Sequence, residues 1–299
     1  MESFLSSGIS QNKEKKQLFG FLNIYKPVGM TSHDVVAVLR RITKIKQIGH
    51  TGTLDPFAEG VLPICVGKAT RLIEYLKDDK EYLATVQFGA TTNTFDLDGE
   101  KTFISDKKIS RAQVEQGLKS FEGEISQLPP IYSAIKVKGK KLYEYARKGE
   151  EVEIQPRKVF IECIELKNFD EKLQQAQILI KCSKGTYIRS IANDLGQNLG
   201  CGGYLIKLIR TQAGSFRVED SVQLETIDVN ESLINPYNVL DLPKIAVNDE
   251  ELVKIKNGVP IYKTCDKIGN FISLIYNDVE ICAIGVADGD KINLKKVFV

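Results

Sequence analysis

The run GHTGTLDPFAEGVLPICVG, residues 49–67, confines one carboxylate to a single kind of place. Gly52, Thr53 and Pro56 punctuate the chain around Asp55, which then passes straight into an apolar stretch. A stiff loop of this kind holds its charge at the rim of a core, facing a cavity in place of bulk water. His50, one of two histidines in the chain, lies on the same segment. Any chemistry is expected here first.

At 299 residues the chain has room for one large domain, or a large and a small one. Its 41 basic and 39 acidic side chains leave a net charge of +2, so a polyanion could be bound only through local clusters. Six cysteines without a CxxC pair, and a polar N-terminus (MESFLSSGISQNKEKK) without an apolar signal stretch, predict a reduced, cytoplasmic setting. No apolar run reaches the roughly 18 residues of a membrane span. Two histidines without Cys/His spacing argue against zinc.

Residues 1–17 are polar and predicted to be disordered. GFLNIYKPVGM reads as a buried strand ended by Pro27-Val28-Gly29, and Thr31-Ser32-His33-Asp34 offers N-cap oxygens to a helix with Val35, Val38, Leu39, Ile42 and Ile45 at apolar spacing. Its other faces carry Arg40, Arg41, Lys44 and Lys46, a basic set for solvent or for phosphates. A short helix is expected over Ala69 to Lys77. In EYLATVQFGA the residues Tyr82, Ala84, Val86 and Phe88 share one face of a half-buried strand. The DLDGE turn at Asp96 fits neither an EF-hand, since Lys101 and Lys107 stand where Gly and Glu are needed, nor an Asp-x-Asp-x-Thr phosphatase.

A capping-box helix, Ser110 to Phe121, precedes the most basic segment, PPIYSAIKVKGKKLYEYARKGE. Lys136, Lys138, Lys140, Lys141, Arg147 and Lys148 alternate there with Tyr132, Tyr143 and Tyr145, which suits a strand or loop arm laid against RNA, cations on phosphates and rings on bases. Strand patterns return at Lys158 to Lys167 and Gln175 to Cys182. Gly185-Thr186 then turns the chain from strand to helix, setting Tyr187 and Arg189 at the top of the sheet while Ile188, Ile191, Ala192 and Leu195 face the core. An Arg at that rim either forms a structural salt bridge or holds a carboxylate ionised against the upward pull of burial.

GHTGTLDPFAEGVLPICVG, KEYLATVQFGATTNTFDLDG, PPIYSAIKVKGKKLYEYARKG and KCSKGTYIRSIANDLG, in this order, resemble the TruB family of bacterial pseudouridine synthases over roughly Leu18 to Arg217. The resemblance implies an α+β, mixed α/β catalytic domain (18–232, with a basic RNA-contacting insertion near 124–152) on a largely antiparallel sheet flanked by helices. It also implies isomerisation of uridine-55 in the T loop of tRNA, without cofactor or metal. The family's nucleophile falls on Asp55, its ion-pairing arginine on Arg189 and its stacking tyrosine on Tyr82. By the residues alone Tyr82 reads as a core aromatic. Tyr187 and Leu208 fall on the pocket wall and His50 against the T-loop bases; Lys26 and Pro27 brace the Asp loop; Lys138, Lys140 and Lys141 contact RNA. His33 receives no role.

From about Asn235 the composition shifts to a short helix and the strands FISLIYN, EICAIGVAD and NLKKVFV, read as a PUA-like module (235–299) or as a β-cap without RNA contact. Two other functions stand beside the enzyme: a tRNA-folding chaperone without catalysis, and a guide-RNA-dependent synthase needing partner proteins. Asp55, Tyr82 and Arg189 together favour catalysis, to which chaperone action could be secondary. The complete basic arm favours a stand-alone monomer acting on the tRNA T stem-loop.

Overall fold

The structure, a computed structural model, describes residues 18–263 and 269–299. The expected disorder of 1–17, and Cys265, lie outside the described residues.

Lys80–Phe88 is the strand that the alternation predicts, with Tyr82, Ala84, Val86 and Phe88 buried on one face. It sits inside a ten-stranded sheet, pairing antiparallel with Gln175–Cys182 on one side and with Gly203–Ala213 on the other. Beyond Gln175–Cys182 come Arg157–Asp170 and Gly123–Gln127; beyond Gly203–Ala213 come Glu59–Val66, Gly20–Lys26 and Val222–Gln223. Only two of these pairings are parallel, Gly20–Lys26 with Val222–Gln223 and Glu59–Val66 with Gly203–Ala213. The expected α+β class with a largely antiparallel sheet is the observed one.

The second parallel contact positions the site. Arg210 lies opposite Gly60, which has φ +105° and whose Cβ, if it had one, would fall 2.4 Å from the Arg210 carbonyl oxygen. Glycine is thus required where the Asp loop meets the central strand.

The first helix is Ser32–Thr43, capped by a reciprocal Thr31/Asp34 box. Val35, Val36 and Leu39 are buried, but Ile42 is 49% exposed, because the helix stops at Thr43 and its last turn overhangs the core. The expected helix at Ala69 to Lys77 is a 3-10 helix, Gly67–Tyr75. Arg111–Leu118 follows its predicted Ser110/Gln113 box.

The basic arm is a strand hairpin only in its first half. Lys136–Val137 and Lys140–Lys141 pair around Lys138 and Gly139, both at positive φ. Its second half departs from the expected strand or loop: Leu142–Lys148 is helical, since Leu142 and Tyr145, three residues apart, are buried together and Gly149 ends the turn at φ 64°. The Tyr145 hydroxyl donates to the Val137 carbonyl, so this ring, expected among those facing RNA, closes the hairpin.

The C-terminal module is a five-stranded sheet, in the order Lys244–Ala246, Phe271–Tyr276, Glu280–Asp288, Lys291–Val297 and Ile261–Tyr262, with helix Asp249–Lys256 packed on it. It has its own core around Ile255, Ile272, Leu274 and Ile292. A second core crosses the expected boundary: Ile275, Ile281, Ile284 and Phe298 pack with Phe21, Val61, Leu72 and Tyr75. Phe298 stacks on Phe19 at 5.3 Å, and its carbonyl accepts from Lys68 Nζ at 2.6 Å. No helix among the described residues is long and apolar enough to cross a membrane.

Candidate active site

The loop carrying Asp55 is held from three sides. Ser32 Oγ accepts from the Leu54 amide at 2.9 Å and donates to the Leu54 carbonyl at 3.2 Å. Lys26, fully buried, donates from Nζ to the carbonyls of Pro27 (2.8 Å), Met30 (2.7 Å) and Pro56 (3.3 Å), joining the KPVGM turn to the Asp loop. Arg210, also fully buried, donates from Nε to the Val61 carbonyl at 2.7 Å and from Nη2 to that of Gly52 at 3.1 Å. Neither cation has a carboxylate within ion-pairing distance among the described residues. Burial lowers the Lys26 ammonium to about 8, against the pull of Asp55.

Arg189 follows Tyr187, the N-cap of helix Ile188–Asn198, and its guanidinium is 5% exposed. Nε lies 3.0 Å from Asp55 Oδ2; Nη1 donates to the Thr94 carbonyl at 3.0 Å and to Asp96 Oδ2 at 3.2 Å; Nη2 donates to the Tyr132 carbonyl at 2.9 Å. One cation thus serves two carboxylates and ties the root of the basic arm to the site. Asp96 is oriented by the Thr94 hydroxyl, which donates to Oδ1 at 2.6 Å, and by the Asp98 amide. Enclosure by the cleft walls pushes the Asp55 carboxyl up; Arg189 opposes that and the like charge of Asp96 adds to it. Burial therefore outweighs the guanidinium, although the Asp55 side chain keeps 36% exposure toward the cleft mouth.

Asp55, Arg189, Tyr82, Tyr187 and Leu208 line one cleft of about 340 Å³. The Tyr82 ring is 7% exposed, and burial raises its hydroxyl, with Arg210, its cross-strand neighbour, acting against the rise. Gln127 holds Tyr187 by a reciprocal pair, accepting from its amide at 2.8 Å and donating to its carbonyl at 3.0 Å. Lys26 stands behind the loop. His50 lies outside the cleft lining on strand Ile48–His50, edge-on to His33 at 5.3 Å; burial, with His33 and Arg210 nearby, lowers it to about 4. His33, to which the sequence assigns no role, is exposed and serves as that neighbour. Lys138, Lys140 and Lys141 ride on the hairpin and do not line the cleft. Lys140 pairs with Glu150 at 3.4 Å and Lys141 sits over the Tyr143 ring at 5.4 Å.

Sequence reasoning missed Asp96, Ser32, Gln127 and Arg210. The DLDG turn was weighed only as a metal or phosphatase motif, and Arg210 sits in an apolar strand pattern, where its charge reads as a surface position.

The fold and this cleft define a pseudouridine synthase. A solved structure titled as a Cbf5-Nop10-Gar1 complex superposes with a TM-score of 0.71 at 26% identity, covering 94% of this chain and 85% of that one. Residues 40–188 match the model of the TruB family pseudouridylate synthase N-terminal domain, and 189–235 that of the tRNA pseudouridylate synthase B C-terminal domain. Relatives named tRNA pseudouridine synthase B include one from Caldanaerobacter subterraneus subsp. tengcongensis, 44% identical over 93% of this chain and 99% of its own length. Another, from Carboxydothermus hydrogenoformans, is 46% identical over 93% and 98%. The chain belongs to the TruB family of pseudouridine synthases.

Proposed function

We propose that this chain converts uridine-55 in the T loop of tRNA to pseudouridine, acting alone, as a cytoplasmic monomer and without cofactor. The observation that carries this reading is the cleft-facing carboxylate of Asp55, held by a braced loop and charge-paired to Arg189. The isomerisation breaks the C1′–N1 bond, turns the base and joins C1′ to C5; C5 gives up a proton and N1 gains one, so nothing is added or lost. One nucleophilic carboxylate suffices for it.

Extraction of the uridine costs a few kcal/mol of unstacking, and an aromatic platform for the base is worth about 1–3 kcal/mol in return. Tyr82 supplies that platform, Tyr187 and Leu208 close the wall, and His50 lies against the T-loop bases that the displaced nucleotide leaves. Neutral at physiological pH, with its titration lowered to about 4, His50 suits stacking on bases more than phosphate binding. Lys138, Lys140 and Lys141 meet backbone phosphates. The catalytic part spans 18–232, and the module 235–299 adds an RNA contact.

The test is to incubate the purified protein with unmodified tRNA transcript and map pseudouridines. One product at position 55 is expected; no product, or product elsewhere only, overturns the reading.

A further inference from the structure

Lys80 opens the buried face of Lys80–Phe88, the face continued by Tyr82, Ala84, Val86 and Phe88. A cation at the head of an otherwise apolar face is not explained by packing. It is half-buried, and it lines the cleft with Asp55 and Tyr82. Its Nζ donates at 3.1 Å to the carbonyl of Asp78, while the carboxylate of Asp78 is taken by Lys184 at 2.6 Å. No carboxylate lies within ion-pairing distance of Lys80 among the described residues. Arg210 and Lys80 flank Gly52: a Cβ there would meet Lys80 Cε at 3.4 Å and Arg210 Nη1 at 3.8 Å. The charges acting on Lys80 are Arg210, Asp78, Asp79 and Cys182, and burial followed by Arg210 lowers its titration. A cation desolvated beside another cation calls for an anion from outside.

The end of the cleft at which Lys80 sits is its mouth. The Lys184–Asp78 pair beside it is 74% and 53% exposed, whereas Tyr82 and Arg189 are buried deeper in. A flipped nucleotide puts its base inside and leaves its two phosphodiesters at the opening. We propose that Lys80 binds a non-bridging oxygen of a phosphodiester flanking the extruded uridine, and so anchors the nucleotide whose base stacks on Tyr82. This rests on the synthase reading above and names a further substrate contact within it.

The experiment pairs a protein change with a chemical change in RNA. A T stem-loop is made with a neutral methylphosphonate at the linkage 5′ or 3′ of the target uridine, and its affinity for wild type, Lys80→Met and Lys80→Arg is measured. Lys80→Met is expected to weaken the unmodified stem-loop about tenfold, the size of one charge-assisted contact, with Lys80→Arg near wild type. On the methylphosphonate RNA at one of the two linkages that loss should vanish. Equal loss by Lys80→Met on both methylphosphonate RNAs and on unmodified RNA would overturn the assignment and return Lys80 to a brace for Asp78 or a contact to the base. Conversion of unmodified stem-loop by wild type is read in the same series. Its absence with the coupling intact would strike the isomerase reading alone.

Discussion

Arg189 Nε lies 3.0 Å from Asp55 Oδ2, yet the two do not form an aligned hydrogen bond, whereas Nη1 and Nη2 donate to Thr94, Asp96 and Tyr132. The guanidinium is thereby fixed by its far side. Asp55 is held near a positive charge without being gripped by a two-pronged fork, and its oxygens stay free to react.

Asp55→Asn keeps the shape of the side chain and removes the proposed nucleophile. Pseudouridine formation is expected to fall by more than about 10⁴-fold, as for other lost nucleophiles, with tRNA affinity unchanged within about threefold. Tritium release from C5-labelled tRNA at a near-wild-type rate would remove Asp55 from the chemistry.

The carboxyl of Asp55 titrates above its ordinary 3.8, chiefly through burial. A carboxylate nucleophile must be ionised, so if Asp55 has that role kcat/KM should rise with pH through an acid limb lying above the usual carboxylate range. Asp96→Asn takes away a like charge and should move that limb to lower pH, while slowing the plateau because Arg189 loses one of its tethers. A limb that stays in place in Asp96→Asn would mean that another group sets it.

Arg210 is buried with no carboxylate in ion-pairing distance among the described residues, a placement costing several kcal/mol if its donors were unmet. Its replacement by Lys cannot reach both the Gly52 and Val61 carbonyls, 3.1 and 2.7 Å from separate nitrogens. Arg210→Lys is expected to lower kcat about 10- to 100-fold with KM little changed, the mark of a misplaced Asp55. A loss confined to KM, or one matched by the unfolded fraction in a melting curve, would count against it.

Lys138 is exposed at the hairpin tip and has no ion pair among the described residues, whereas Lys140 and Lys141 already have partners in Glu150 and Tyr143. Replacing all three by Ala should flatten the plot of log affinity against log salt by up to about 2–3 units, with Lys138→Ala alone giving the largest single share. An unchanged slope in titrations from low to moderate salt would take the arm off the phosphates.

Phe298→Ala opens the core shared by the C-terminal module and the catalytic sheet. It should cost about 3–5 kcal/mol. Because that core is common to both, a single unfolding transition should shift as a whole in denaturant; two separated transitions would show the modules to be independent.

Much of this architecture is legible in the sequence. Tyr82 to Phe88 alternate strictly because one face of that strand is apolar core, and the Thr31 and Ser110 boxes announce helix starts through hydrogen bonds between residues three apart. Such signals are local. The arm helix was hidden because Lys and Tyr between Gly139 and Gly149 suit exposed strand and short helix alike, and only the joint burial of Leu142 and Tyr145 decides. Asp96 and Arg189 are joined across 93 positions, and Arg210 reaches Gly52 across 158, distances over which spacing carries no message. Asp55 was legible because its own neighbours set it apart.

The pairing of one guanidinium with two carboxylates has a consequence for energy along the reaction. With Asp55 and Asp96 both ionised, the resting trio carries one surplus negative charge in an enclosed place. If Asp55 is the nucleophile, its bond to the substrate leaves Arg189 matched one to one with Asp96, and the negative charge passes to the uracil, as the departing anion or as the enolate of the attacked ring. The surplus charge would then ride on the base, the group that has to turn and bond again within the same cleft.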